Sequence, residues 1–185
     1  MKLTNSEKLV LIMLTELYEK VGISGDSGID PKFVQQAIYT DNTWAFEWKY
    51  SGIFDSSEPA PPEVNEVVNF LDMWSFIEEA YEAFSAAEKA DLEQKATPFG
   101  KNPRFTGFDG NNEYEYISIA RFLIRQLERF VEFKDRELNS HMPSVAGYRR
   151  MYETFEPIRR TLFDRRMSAD ELAKVLNARR HGLGE

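Results

Sequence analysis

Residues 63–84 read EVNEVVNFLDMWSFIEEAYEAF, and the fold follows from their spacing. Val64, Val67, Val68, Leu71, Trp74 and Ile77 recur every three to four positions, the interval at which side chains return to one face of an α-helix. Phe70, Met73, Tyr81 and Phe84 widen that face, while Glu66, Glu78, Glu79 and Glu82 fall elsewhere and read as a solvated one. A helix this long, with so broad an apolar face, is predicted to be a core element around which the others gather.

Working outward, the same period recurs on both sides. Ser85 and Glu88 have the spacing of a capping box and open a more polar helix to Lys95. Residues 97–112 are irregular, and Phe99, Phe105 and Phe108 within them are expected to be packed down. A helix is predicted over 113–133, capped by Asn112, and another from Ser144 through Tyr148, Met151, Tyr152 and Phe155, with Pro157 ending or kinking it. Ser168 and Glu171 form a further capping box for a last helix that stops before Gly182. Upstream, Thr4 and Glu7 cap a first helix on which Val10, Leu14, Leu17 and Val21 recur, ending at Gly22. Leu9, Leu11, Ile12 and Met13 spread its apolar surface around most of the circumference, so this helix is expected to be central and buried between others. Asp30 and Pro31 open a second helix toward Tyr39, and a short one carries Trp44, Phe46 and Trp48. Three prolines in 55–62 mark a linker. With no alternating strand pattern and no internal repeat, the predicted fold is all-α and multihelical. It is a single domain over 1–185 built of two closely packed helical subdomains, 1–55 and 60–185.

Composition narrows the chemistry. Across 185 residues, 31 acidic against 23 basic side chains leave a net charge of −8, which argues against a general polyanion binder. The absence of cysteine excludes thiol nucleophiles, cysteine-based zinc sites and disulfides. The longest apolar run, Leu9 to Leu14, is six residues, far short of the roughly 20 a membrane span needs. Nor does it have the flanks of a signal peptide, so a cytoplasmic chain that does not enter membranes is expected.

Candidate chemistry is thin. Gly22, Gly25 and Gly28 lack the strand and Gly-Lys-Ser/Thr context of a phosphate loop, and Asp26 and Asp30 supply too few oxygens for a calcium loop. Of the two histidines, His141 sits in a Ser-His-Met-Pro turn and His181 in the tail, without a nucleophile motif. Glu78 and Glu82 lack the Glu-x-x-His partner of helical carboxylate metal sites. No catalytic residue, cofactor or metal is therefore predicted.

Charge is unevenly divided: residues 1–100 carry 7 basic and 18 acidic groups, net −11, against 16 and 13, net +3, in 101–185. This asymmetry suits intramolecular docking or head-to-tail assembly. Arg-Arg pairs begin at Arg149, Arg159, Arg165 and Arg179, interleaved with Glu153, Glu156, Asp164 and Asp170, and read as ion-paired helix faces. The N-terminal helices also admit a helix-turn-helix reading with 43–50 as recognition helix, although Trp44, Phe46 and Trp48 look built for packing.

Three stretches carry a resemblance. Leu3-Thr-Asn-Ser-Glu-Lys-Leu9, then Phe105-Thr-Gly-Phe-Asp-Gly-Asn-Asn-Glu113 with Tyr116 to Phe122, and Met167-Ser-Ala-Asp-Glu-Leu172 look like the bacterial YfbU family. The loop at 22–28 and the prolines at 59–62 depart from it. The resemblance implies a multihelical, cytoplasmic, oligomeric protein of a family without an established biochemical activity, and it supplies no catalytic residues. At its most specific piece, Phe108 staples a helix start, Asp109-Gly110 makes a turn and Asn112 caps. A functional reading has Phe108, Asp109 and Arg121 line a binding notch. The expected role is a non-enzymatic homo-oligomeric interaction or regulatory protein, open to another protein partner. The alternative is a DNA-binding transcriptional regulator.

Overall fold

The structure is a computed structural model that describes residues 2–22, 28–54 and 59–180. Gly25, Asp26, His181 and the first half of the proline linker lie outside the described residues. Among those described are eight α-helices: α1 (Asn5–Val21), α2 (Pro31–Tyr39), α3 (Ala45–Lys49), α4 (Pro62–Ala83), α5 (Ala86–Lys95), α6 (Tyr114–Arg125), α7 (Val145–Arg159) and α8 (Ala169–Asn177). The single β-like feature among them is an isolated bridge between Phe108 and Asn139. The fold is all-α.

The three predicted capping boxes form as read. Thr4, Ser85 and Ser168 each accept the backbone N–H three residues on, and Glu7, Glu88 and Glu171 reach back to the cap backbone. These are local interactions, so a local pattern encodes them. Asp30 caps α2 through Lys32 and Phe33, with Pro31 at the first helical position.

α4 is the axis. It touches α6, α7 and α8, and Val64, Val67, Leu71, Met73, Ile77 and Ala80 are fully buried along it. Beside it Phe70, Trp74, Phe105, Phe108, Phe133 and Tyr148 form one ring cluster with centroids 5.2–6.4 Å apart, which is how the irregular 97–112 segment is held down. The α2–α3 region joins this core through Phe33 and Trp44, whose rings lie 5.3 and 6.0 Å from Phe122 on α6.

Several expectations are corrected. α1 is not central: it rests on α2 alone among the helices it contacts substantially, and only Thr15 is buried. α6 ends at Arg125 instead of running to residue 133, because Glu128 and Phe130 take left-handed backbone conformations (φ 51° and 55°). That reversal delivers Phe133 into the ring cluster, 5.2 Å from Phe105, as part of a 3-10 turn. Asn112 does not cap α6; its side-chain amide donates to Asp109 Oδ2. Instead Glu113 stands at the start of α6, and its carboxylate caps α7, accepting from Ser144 N and Val145 N at 2.7 Å each. Pro157 lies within α7 on its exposed side, and the helix ends two residues later at Arg159.

Candidate interaction site

Between α1 and the α2–α3 layer runs an open groove of about 640 Å³. Leu3, Val10, Leu11 and Leu14 form one wall, and Val34, Phe46, Tyr50, Ile53 and Phe54 form the other. Helical geometry builds the first wall. Lys8, Leu11, Ile12 and Thr15 turn toward α2, so Leu9, Met13, Leu17 and Val21 are left on the outer side, with Val10 and Leu14 half-exposed along the rim of the groove. The second wall is anchored by Tyr50, whose hydroxyl oxygen accepts the Asp30 N–H at 3.0 Å. Burial pushes the Tyr50 phenol above its ordinary range, so it stays neutral.

Thr15 and Glu7, polar residues lining the groove, are hydrogen-bonded. Thr15 donates to Ile12 O at 2.8 Å, and the Glu7 carboxylate accepts Thr4 N and Oγ1 at 2.7 and 2.8 Å, bonds that hold its pKa below the usual range. Such a surface offers apolar area to be removed from water.

The three residues of the expected notch are placed differently from one another. Phe108 is fully buried in the ring cluster. Asp109 is buried as well, accepting Asn111 N at 3.0 Å and the Asn112 amide, and these hydrogen bonds lower its pKa, that of Asn112 foremost. Arg121 is exposed and lines another concavity of about 690 Å³ with Arg125, Lys134, Asp135, Arg136, Glu137 and Leu138.

Glu78 corrects the expectation of a solvated face. It is 8% exposed and bonded to Arg136 through both oxygens. The arginine pairs meet carboxylates mostly from α4, not the acids interleaved with them: Arg149 with Glu66, Arg159 with Asp72 and Arg166 with Glu79, at 2.6–2.9 Å. The charge asymmetry between the two halves is thus used within the chain. Arg165 pairs with Glu171, chiefly through a hydrogen bond that holds the glutamate at about 2. Tyr116 donates to Glu66 Oε2, which Arg149 also grips, and burial with that bond pushes the phenol up to about 12. This triad ties α4, α6 and α7 together.

In the region that suggested a helix-turn-helix, α3 has five residues, with Ala45 and Phe46 buried. Trp44 is buried too, its indole donating to Asn42 Oδ1, and Lys49 lies 4.2 Å over the Phe33 ring. No helix among the described residues is long and apolar enough to cross a membrane, and none of them form a group of three or more metal-binding side chains.

The groove was missed in the sequence, although its signal was present. An apolar circumference larger than one neighbour can cover means either two intramolecular neighbours or one neighbour and an open face, and periodicity alone does not separate them.

A family model described as YfbU domain matches residues 1–178. UPF0304 protein MJECS11 of the archaeon Methanocaldococcus jannaschii is 32% identical over 113 residues, covering 58% of this chain and 64% of that relative's length. No solved structure gives a significant match.

Proposed function

The chain belongs to the YfbU family, and from that premise we propose that it is a non-enzymatic interaction protein, regulatory in role, that works in the cytoplasm as a homo-oligomer. One observation carries this reading: α1 holds a continuous apolar stripe that is left exposed among the described residues. Contiguous exposed apolar surface at this scale marks interaction sites in folded proteins, because leaving it in water is unfavourable. The cysteine-free composition suits a reducing compartment. The basic concavity at Arg121 and Arg125 would serve as a polar contact for a further protein partner.

The helix-turn-helix form of the DNA-binding alternative would use α3, where Ala45 and Phe46 are buried in the core. The test is solution mass by light scattering over a range of protein concentration. The expected result is a mass above the 21.5 kDa of one chain. A strict monomer at every concentration would remove the reading.

A further inference from the structure

We infer that the concavity beside the end of α6 is a binding site for a small zwitterion, a short peptide with both ends free, whose carboxylate lies on Arg121 and Arg125 and whose ammonium group lies on Asp135. The reading above offers this concavity to a protein partner. The inference goes beyond it to a small ligand, and it stands independently of the oligomeric state.

One wall follows from helical geometry. Phe122, Leu123 and Ile124 are buried against the core, which leaves Arg121 and Arg125, one turn apart, together on the outer face of α6. Among the described residues neither guanidinium has a partner. Each of the other arginines has an oxygen or a ring to rest on. The helix dipole favours a cation in the last turn and so accounts for Arg125, but not for Arg121 a turn earlier.

The other wall is fixed from behind. Arg136 is drawn inward by its two bonds to Glu78, and Leu138 is buried, its carbonyl oxygen accepting the Phe108 N–H at 3.0 Å. Asp135 and Glu137, which alternate with them, are left exposed. His141 stands 3.6 Å from Glu137 and Lys134 stands 4.0 Å from Glu128, so Asp135 is the carboxylate of this wall without a partner among the described residues.

Unpaired charges of opposite sign thus line one concavity of about 690 Å³ and do not pair with each other. The gap between them is therefore wider than an ion pair, about 4 Å. A ligand that spans it needs both signs, one at each end. A guanidinium fork donates to a carboxylate through parallel hydrogen bonds, and Asp135 accepts from an ammonium group. A free amino acid holds its two charges on one carbon, too close together, whereas each further residue adds roughly 3.3–3.6 Å, so two or three residues reach across. The volume suits a ligand of that size. Leu138 is the one apolar residue of the lining, so recognition falls on the charged ends and not on side chains. Asp135 and Glu137 also disfavour a plain dianion such as phosphate.

The test is a titration of the isotope-labelled natural chain with triglycine at low salt, read by amide NMR shifts, alongside triglycine acetylated at its N-terminus and triglycine amidated at its C-terminus. The expected result is shifts confined to residues 121–125 and 134–138, with binding weakened on the order of tenfold by either blocking group. Arg121→Gln combined with Arg125→Gln should weaken triglycine by a like factor and leave the amidated form unchanged. Asp135→Asn should weaken triglycine equally and leave the acetylated form unchanged. These side chains are exposed and without described partners, so the variants keep the fold, which the same spectra verify. Acetylated triglycine binding as tightly as the free peptide overturns the inference and leaves the concavity a contact for the carboxylates of a protein. Amidated triglycine binding as tightly, shifts at other residues, or no shift at about 10 mM overturns it outright. Solution mass enters none of these results, so the oligomeric reading fails or survives separately.

Discussion

Arg136 grips Glu78 with two parallel hydrogen bonds, 2.7 Å from Nη1 to Oε1 and 2.6 Å from Nη2 to Oε2, and Oε1 also accepts the Phe105 N–H at 2.8 Å. One carboxylate thus ties α4 to both irregular segments that bracket α6. The fork geometry suits arginine, and the charge-assisted bonds are the stronger kind. Glu78→Leu removes all three bonds and leaves a buried amide and a partly buried guanidinium without their acceptor, so a loss of about 2–3 kcal/mol is expected in urea unfolding. Glu78→Gln keeps an acceptor for Phe105 and should lose less. Equal losses would mean that the Phe105 bond contributes nothing.

Glu171 sets an acid limit. The hydrogen bond from Arg165 holds its carboxyl at about 2, below the ordinary 4.5. A carboxyl held low when folded binds fewer protons there than when unfolded, so its contribution is full above about pH 5 and fades as pH falls toward 2. Arg165 is 44% exposed, and solvent screening reduces the contribution to about 1 kcal/mol or less. The melting temperature of Glu171→Gln should therefore lie below that of the natural chain at pH 7, with the gap closing between pH 4.5 and 2. A gap independent of pH would mean that the charge of Glu171 beside Arg165 contributes nothing, since glutamine still serves the capping box.

Gly107 has φ +87°, and a Cβ there would sit 2.1 Å from the Leu138 carbonyl oxygen. Its own carbonyl oxygen lies 3.0 Å from Ser144 Oγ and 3.1 Å from Tyr148 Oη. Gly107→Ala should cost about 3 kcal/mol or more, because backbone must move on both sides. Gly22→Ala is the control. Its φ is +71°, but nothing lies within 4 Å of the added atom, so about 1 kcal/mol is expected. Thermal unfolding of the two variants decides between steric and conformational cost.

Hydrogen exchange should separate α1 from α4. With one helix beneath it and Thr15 as its sole buried residue, α1 opens locally more easily than the buried axis of the fold. Since association protects only the paired form, α1 amides should exchange more slowly as protein concentration rises, while those of α4 stay constant. Concentration-independent exchange in α1 would contradict pairing through that helix.

Local chemistry was legible in the sequence and long-range chemistry was not. The boxes at Thr4, Ser85 and Ser168 lie within one helical turn, so their spacing alone announces them. The break after Arg125 depends on Phe133 finding Phe105, which no window around residue 126 contains. Glu78 resembled Glu79 and Glu82 by position, yet its partner stands 58 residues away. The arginine pairs read correctly as ion-paired, but the partners named from proximity were mostly the wrong ones, because α4 supplies the nearer carboxylates in space. At α1 the pattern was read correctly as an excess of apolar surface. The spacing did not show that α2 alone would lie substantially against it.

Glu113 has a consequence for the ions around the protein. Its carboxylate is the anion at the opening turn of α7, placed there by a covalent tether from α6. Neutralised as Glu113→Gln, that turn keeps its amides but loses its counter-charge. Sulfate from solution supplies both the oxygens and the charge, so it should raise the variant's melting temperature more than the natural chain's. The natural protein carries its own anion at this point, so its α6–α7 junction is expected to respond less to added sulfate than the variant's.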